Sequence, residues 1–202
     1  MVIEEPKDSP LGLVVALPGR GVTLNEMYKF MLYSGLNRSI VSIIEPRNLE
    51  WYPSPNGPQD QEDAVIGCRL AVNPIKNRIK NLCRTYKIPY SKVAVVGYSA
   101  GAVMALEIAQ RSKSEMAMVI SIAGTILDPR KVPPAKNNTP ILMKICRDDE
   151  RFDWNERHQP AKEALIKNKY NLTLEERNYG GHNLSAEDAH MVYRLLSERF
   201  DY

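Results

Sequence analysis

The sequence has little net charge, few cysteines and no long apolar run, and each shortage removes a class of function. Its 202 residues carry 27 Lys and Arg against 24 Asp and Glu, a formal charge of +3. So even a balance gives little long-range field for recruiting nucleic acid or an anionic membrane surface. The three cysteines, Cys68, Cys83 and Cys146, are odd in number and far apart. With no CxxC or Cys/His spacing to hold zinc, neither a disulfide framework nor a metal centre is expected. Free thiols in a reducing cytosol are the simplest reading, so the expected location is cytoplasmic. No stretch approaches the roughly 20 apolar residues that span a bilayer. Met1-Val2-Ile3-Glu4-Glu5-Pro6 also lacks the basic region, apolar run and small-residue cleavage site of a secretory signal. Phosphate-binding loops are missing as well, since neither GxxxxGKS/T nor GxGxxG occurs, and no cofactor is implied.

What is present is ordinary for a globular chain: 44% hydrophobic and 25% charged residues. These values disfavour disorder, collagen-like repeats and coiled coil. A single domain over residues 1–202 is expected, a length that buries roughly 70% of the surface of its unfolded chain. Short apolar runs alternate with longer amphipathic ones, the signature of an α/β protein with a mostly parallel sheet. Six strands are expected, at residues 11–17, 39–44, 92–98, 116–123, 140–145 and 171–177. Helices fall between and after them. Thr23 with Glu26 and Ser185 with Asp188 are capping boxes opening two of these helices. A long helix over 61–86 places Val65, Cys68, Val72, Ile75, Ile79 and Leu82 on one face, and Pro74 is expected to kink or interrupt it. Its opposite face carries Lys76, Arg78, Lys80 and Arg84. No aromatics interleave there for base stacking, so a solvated face is favoured over a nucleic-acid patch. Residues 45–60 form a loop with Pro46, Pro53, Pro55 and Pro58 around Trp51 and Tyr52. Ordered loops of that length are uncommon and often functional.

The chemistry concentrates at strand ends. Gly97-Tyr98-Ser99-Ala100-Gly101 matches G-x-S-x-G between a strand and a helix, where a sharp turn lifts the serine hydroxyl out of the sheet. A serine needs a base before it is a useful nucleophile. Of the three histidines, His182 follows the sixth strand on a Gly180-Gly181 turn, at the same sheet edge as Ser99, and is the expected base, with His158 or no base at all as the alternatives; His158, beside Pro160 in a helical segment, and His190, inside the last helix, also fit ordinary surface or half-buried residues. A base needs a carboxylate to fix its tautomer. The turn after the fifth strand offers Asp148, Asp149 and Asp153, and spacing alone does not choose among them. It lacks the D-x-D-x-D-G pattern of a calcium loop. The order Ser, Asp, His is that of α/β-hydrolases. Pro18-Gly19-Arg20-Gly21 ends the first strand. If that strand neighbours the serine strand, the backbone amides of Arg20 and Ala100 converge as an oxyanion hole.

Taken together, LPGRG after the first strand, WYPSP with Gln59-Asp60-Gln61, GYSAG, an acidic turn after PILMKI and GGHNLS near the end resemble the phospholipase/carboxylesterase group of small serine hydrolases. That group belongs to the α/β-hydrolase superfamily and includes acyl-protein thioesterases. The likeness covers nearly the full length. Where the group usually reads HGxG, this chain has Pro18-Gly19-Arg20-Gly21. Where the group usually reads HGxxD, it has Ile145-Cys146-Arg147-Asp148-Asp149. The resemblance implies Asp149 as the acid beside Ser99 and His182, and a first strand lying next to the serine strand. It also implies an acyl pocket lined by Trp51 and Tyr52 and by Ile126 and Leu127, with a homodimer as a common state of the group. No inserted cap is visible, so a minimal, open site is expected. The function expected is cleavage of a small-molecule carboxylic ester or thioester through an acyl-enzyme. The alternative is a noncatalytic hydrolase-fold protein that binds a ligand or partner.

Overall fold

Leu13, Val15 and Leu17 pack to one side of the central strand while Val14 and Ala16 pack to the other. Such a strand is apolar throughout because helices cover both faces of its sheet. The computed structural model describes residues 2–54 and 58–202. Its strands are β1 (Val2–Glu4), β2 (Leu13–Leu17), β3 (Ile40–Ile43), β4 (Val93–Tyr98), β5 (Met118–Ile122), β6 (Ile141–Cys146) and β7 (Leu172–Arg177), in the order β1-β3-β2-β4-β5-β6-β7. Every neighbouring pair is parallel except β1 with β3. The helices are α1 (Leu24–Tyr33), α2 (Pro58–Tyr86), α3 (Ala100–Arg111), α4 (Gln159–Lys167) and α5 (Ala186–Phe200). Residues of α2, α3 and α4 pack in one apolar layer, and those of α1 and α5 in the other. This is an α/β-hydrolase-like fold, and no cap domain is inserted among the described residues.

The order of strands positions the site. The chain passes from β2 to β3 on one side, then crosses to β4 on the other side of β2. The carboxyl ends of β2 and β4 therefore flank a topological switch point, where open α/β sheets form their binding crevice. The loop after β2 carries Arg20, and the turn after β4 carries Ser99.

Both capping boxes form, at Thr23 with Glu26 and at Ser185 with Asp188. The expected apolar face of α2, from Val65 to Leu82, is buried at all six positions.

Three expectations are corrected. A seventh strand, β1, adds to the sheet edge. It has three residues, too few to show alternation, and it exists through its pairing with Val41 to Ile43. The α2 helix runs through Pro74 without interruption. Pro74 is exposed and the residue four before it, Leu70, is 69% exposed. Both residues thus lie on the solvent face of the helix, where a missing backbone bond costs least. The helix also begins at Pro58, inside the stretch expected to be loop; Pro55 of that stretch lies outside the described residues.

Candidate functional site

Ser99 sits at φ 52°, ψ −118°, a left-side backbone conformation that costs a non-glycine residue about 1–3 kcal/mol. The surroundings enforce it. Its amide donates to the Ile122 carbonyl at 3.0 Å, and its carbonyl accepts from the Ala102 and Val103 amides at 2.9 and 3.1 Å. A Cβ on Gly101 would land on the Leu17 carbonyl, and one on Gly97 on the Gly101 carbonyl. These two glycines let the helix start press against the ends of β2 and β4.

His182 arrives from β7 on Gly180 and Gly181, both at positive φ. Its Nε2 lies 2.7 Å from Ser99 Oγ, and its Nδ1 lies 2.9 and 3.0 Å from the two carboxylate oxygens of Asp149. Three consecutive acidic residues hold this loop by different handles. Asp148 accepts the Gly180 and Gly181 amides at 3.2 and 2.8 Å. Asp149 takes the imidazole. Glu150 accepts the His182 amide at 3.1 Å. The Tyr98 hydroxyl donates to the His182 carbonyl at 2.8 Å, and the Phe152 ring meets the imidazole edge-on with centroids 5.4 Å apart.

Asp149 is itself buried and heavily bonded. Oδ1 accepts the Arg151 and Phe152 amides at 2.8 Å each, and His158 Nε2 stands 3.2 Å from Oδ2. Burial pushes the carboxyl group up, but hydrogen bonds from His158, His182 and the Phe152 amide outweigh it and hold Asp149 well below the usual carboxylate range. An ionised carboxylate only accepts, so both imidazoles must present N–H to it. That turns the His182 Nδ1–H to Asp149 and leaves Nε2 to accept a hydrogen bond from the Ser99 hydroxyl.

The other expected residues divide. Arg20, Ala100, Tyr52 and Leu127 line the same cavity as Ser99 and His182, about 510 Å³ in volume. Trp51 does not line it. Its indole N–H donates to the Pro18 carbonyl at 2.8 Å, and so ties the proline-rich loop to the Pro18-Gly19-Arg20 turn. Arg20 makes a second tie by donating to the Tyr52 carbonyl at 2.7 Å. Ile126 is buried and lines a separate, smaller void beside Val65 and Cys68. Arg157 was not among the expected site residues, and His158, the alternative base, contacts Asp149 rather than Ser99. His158 is fully buried, not a surface residue, because a single π turn over Trp154–His158, capped by Asp153, rotates it under the acidic loop. No motif spacing announces it; an apolar flank of Phe152 and Trp154 was the available signal.

Among the described residues, no group of three or more His, Cys, Asp or Glu side chains gathers as for a metal ion. Nor is any helix long and apolar enough to cross a membrane.

The family model for phospholipases/carboxylesterases matches residues 2–198. The chain belongs to this phospholipase/carboxylesterase family. Membership supports a serine hydrolase acting on ester substrates. Among solved structures, esterase PE8 superposes with a TM-score of 0.85 at 19% identity, covering 98% of this chain and 97% of its own. A phospholipase/carboxylesterase from Dyadobacter fermentans gives 0.78 at 19%, with 96% and 94% covered. The Bacillus cereus carboxylesterase gives 0.79 at 16%, with 98% and 93% covered. At these identities the likeness shows the fold. Among curated proteins no sequence matches.

Proposed function

We propose that this protein is a serine hydrolase cleaving carboxylic esters or thioesters through a Ser99-His182-Asp149 triad. The observation that carries the reading is the unbroken line from Asp149 through His182 to a strained Ser99 that faces a cavity. In this reading His182 Nε2 takes the Ser99 hydroxyl proton as Oγ attacks the substrate carbonyl, and Asp149 stabilises the imidazolium that forms. The amides of Arg20 and Ala100 hold the oxyanion, each donor lowering the barrier by about 3–4 kcal/mol. The imidazolium returns its proton to the leaving alcohol or thiol. Water, deprotonated by His182, then attacks the acyl-serine and releases the acid. We place the enzyme in the cytosol on its three free cysteines, Cys68, Cys83 and Cys146. Burial pushes the Cys68 and Cys146 thiols up, which argues against a thiolate nucleophile.

A fluorophosphonate probe tests the reading. Stoichiometric labelling on Ser99, lost in Ser99→Ala, is expected; protein left unlabelled would point to a noncatalytic binder instead.

A further inference from the structure

The cavity around Ser99 carries three arginines, Arg20, Arg151 and Arg157, against one acid, Glu150. Among the described residues only Arg20 of this set pairs with an acid. Glu150 accepts the His182 amide, and Arg20 lies 3.5 Å from the Glu50 carboxylate while donating to the Tyr52 carbonyl. Arg157 differs. Its guanidinium donates to a neutral acceptor, Gln61 Oε1, at 3.3 Å. Among the described residues no Asp or Glu lies within ion-pair distance of it.

Arg157 is also held in place. Gln61 donates through Nε2 to the Leu127 carbonyl at 2.6 Å, so its oxygen is turned to the guanidinium. The Arg157 carbonyl accepts the Thr125 hydroxyl at 2.9 Å, and its amide donates to the Asp153 carbonyl at 2.9 Å. The result is a half-buried guanidinium, fixed at the wall of the cavity and lacking a carboxylate partner, with exposed Arg151 on the same wall. A pocket meant for a neutral acyl chain has no use for such a group, because a partly desolvated charge is costly until an opposite charge meets it. A carboxylate or phosphate fits the planar fork of donors.

We infer that the ester cleaved at Ser99 carries an anionic group, a carboxylate or a phosphate on its acyl or its alcohol part, seated on Arg157. This rests on the serine-hydrolase reading above.

The test compares matched esters at low salt: p-nitrophenyl butyrate with the p-nitrophenyl half-ester of glutarate, and monobutyryl glycerol with its phosphate. The first pair places charge on the acyl side as carboxylate, the second on the alcohol side as phosphate. At least one charged member is expected to show a kcat/KM about tenfold or more above its neutral partner, the size of a charge-assisted hydrogen bond. In Arg157→Gln that preference is expected to fall about tenfold, with Arg157→Lys intermediate. Should Arg157→Gln fail to fold, the wild-type preference and its decline with rising salt still decide. Hydrolysis of the neutral esters with no preference for either charged one, or an unchanged preference in a folded Arg157→Gln, overturns the inference while leaving the hydrolase reading intact. No hydrolysis of any ester together with no fluorophosphonate labelling overturns both.

Discussion

His158 and His182 both present a ring nitrogen to Asp149 Oδ2, at 3.2 and 2.9 Å, so one buried carboxylate is shared by two imidazoles. Only His182 reaches Ser99. In the proposed triad His158 is therefore a positioning residue, holding the carboxylate that orients His182. Replacing it with Ala is expected to cost about 1–3 kcal/mol of stability. By loosening Asp149 it is also expected to lower kcat about ten- to hundredfold. His158→Gln keeps an N–H donor in the same place and should recover most of kcat. Parallel kcat and melting measurements on both variants check this; wild-type kcat in His158→Ala contradicts it.

Asp149 sets a pH dependence whose sign follows from its environment. Its folded pKa lies below the unfolded value of about 3.9. The folded state thus binds this proton less readily than the unfolded one. The stability it contributes is full above about pH 5 and is lost as pH falls through the unfolded value toward the folded one. Urea midpoints followed from neutral pH into acid should drop more steeply for wild type than for Asp149→Asn. Parallel curves would mean that the carboxylate is not held down as described.

Trp51 joins two loops that the sequence leaves apparently unrelated. Its indole N–H donates to the Pro18 carbonyl, in the turn that carries Arg20. Trp51→Phe retains the ring and deletes the bond. It should cost about 1 kcal/mol, which shifts the melting temperature by only roughly 2–4 °C in a chain of this size. On the proposed mechanism a larger fractional fall is expected in kcat, because the turn carrying the Arg20 amide loses its tie to the Trp51 loop. A loss in stability with unchanged kcat would assign Trp51 to packing alone.

Gly101 faces the Leu17 and Pro18 carbonyls so closely that a methyl group has no room. Gly101→Ala should destabilise by about 1–3 kcal/mol through forced separation of α3 from β2, read as a lowered melting temperature. A neutral result would show that the turn relaxes freely.

Much of this was legible in the sequence for identifiable reasons. The strands β2 and β4 are unbroken apolar runs, α2 repeats its apolar residues every three or four positions, and the serine motif sits where strand turns to helix. Ser99, the acidic turn of Asp148, Asp149 and Asp153, and His182 each follow a strand, which placed them at one sheet edge, while only the family resemblance chose Asp149 among the three acids. Less legible was whatever depends on a neighbour distant in sequence. β1 exists only by pairing with β3, and Pro74 lies on the exposed face of a helix that continues through it. Trp51, expected to line the acyl pocket, bonds to Pro18 across 33 residues. His158 lies beneath Asp149 because one π turn redirects it, and no periodicity records a π turn.

The central claim is that Ser99 is the nucleophile. The most direct measurement is the initial rate on short p-nitrophenyl esters of wild type and of Ser99→Ala, with folding of the variant checked by its melting curve. A folded Ser99→Ala protein is expected to show a loss of about 10³-fold or more, down to what the oxyanion hole and binding alone provide. A folded variant that keeps the wild-type rate contradicts it.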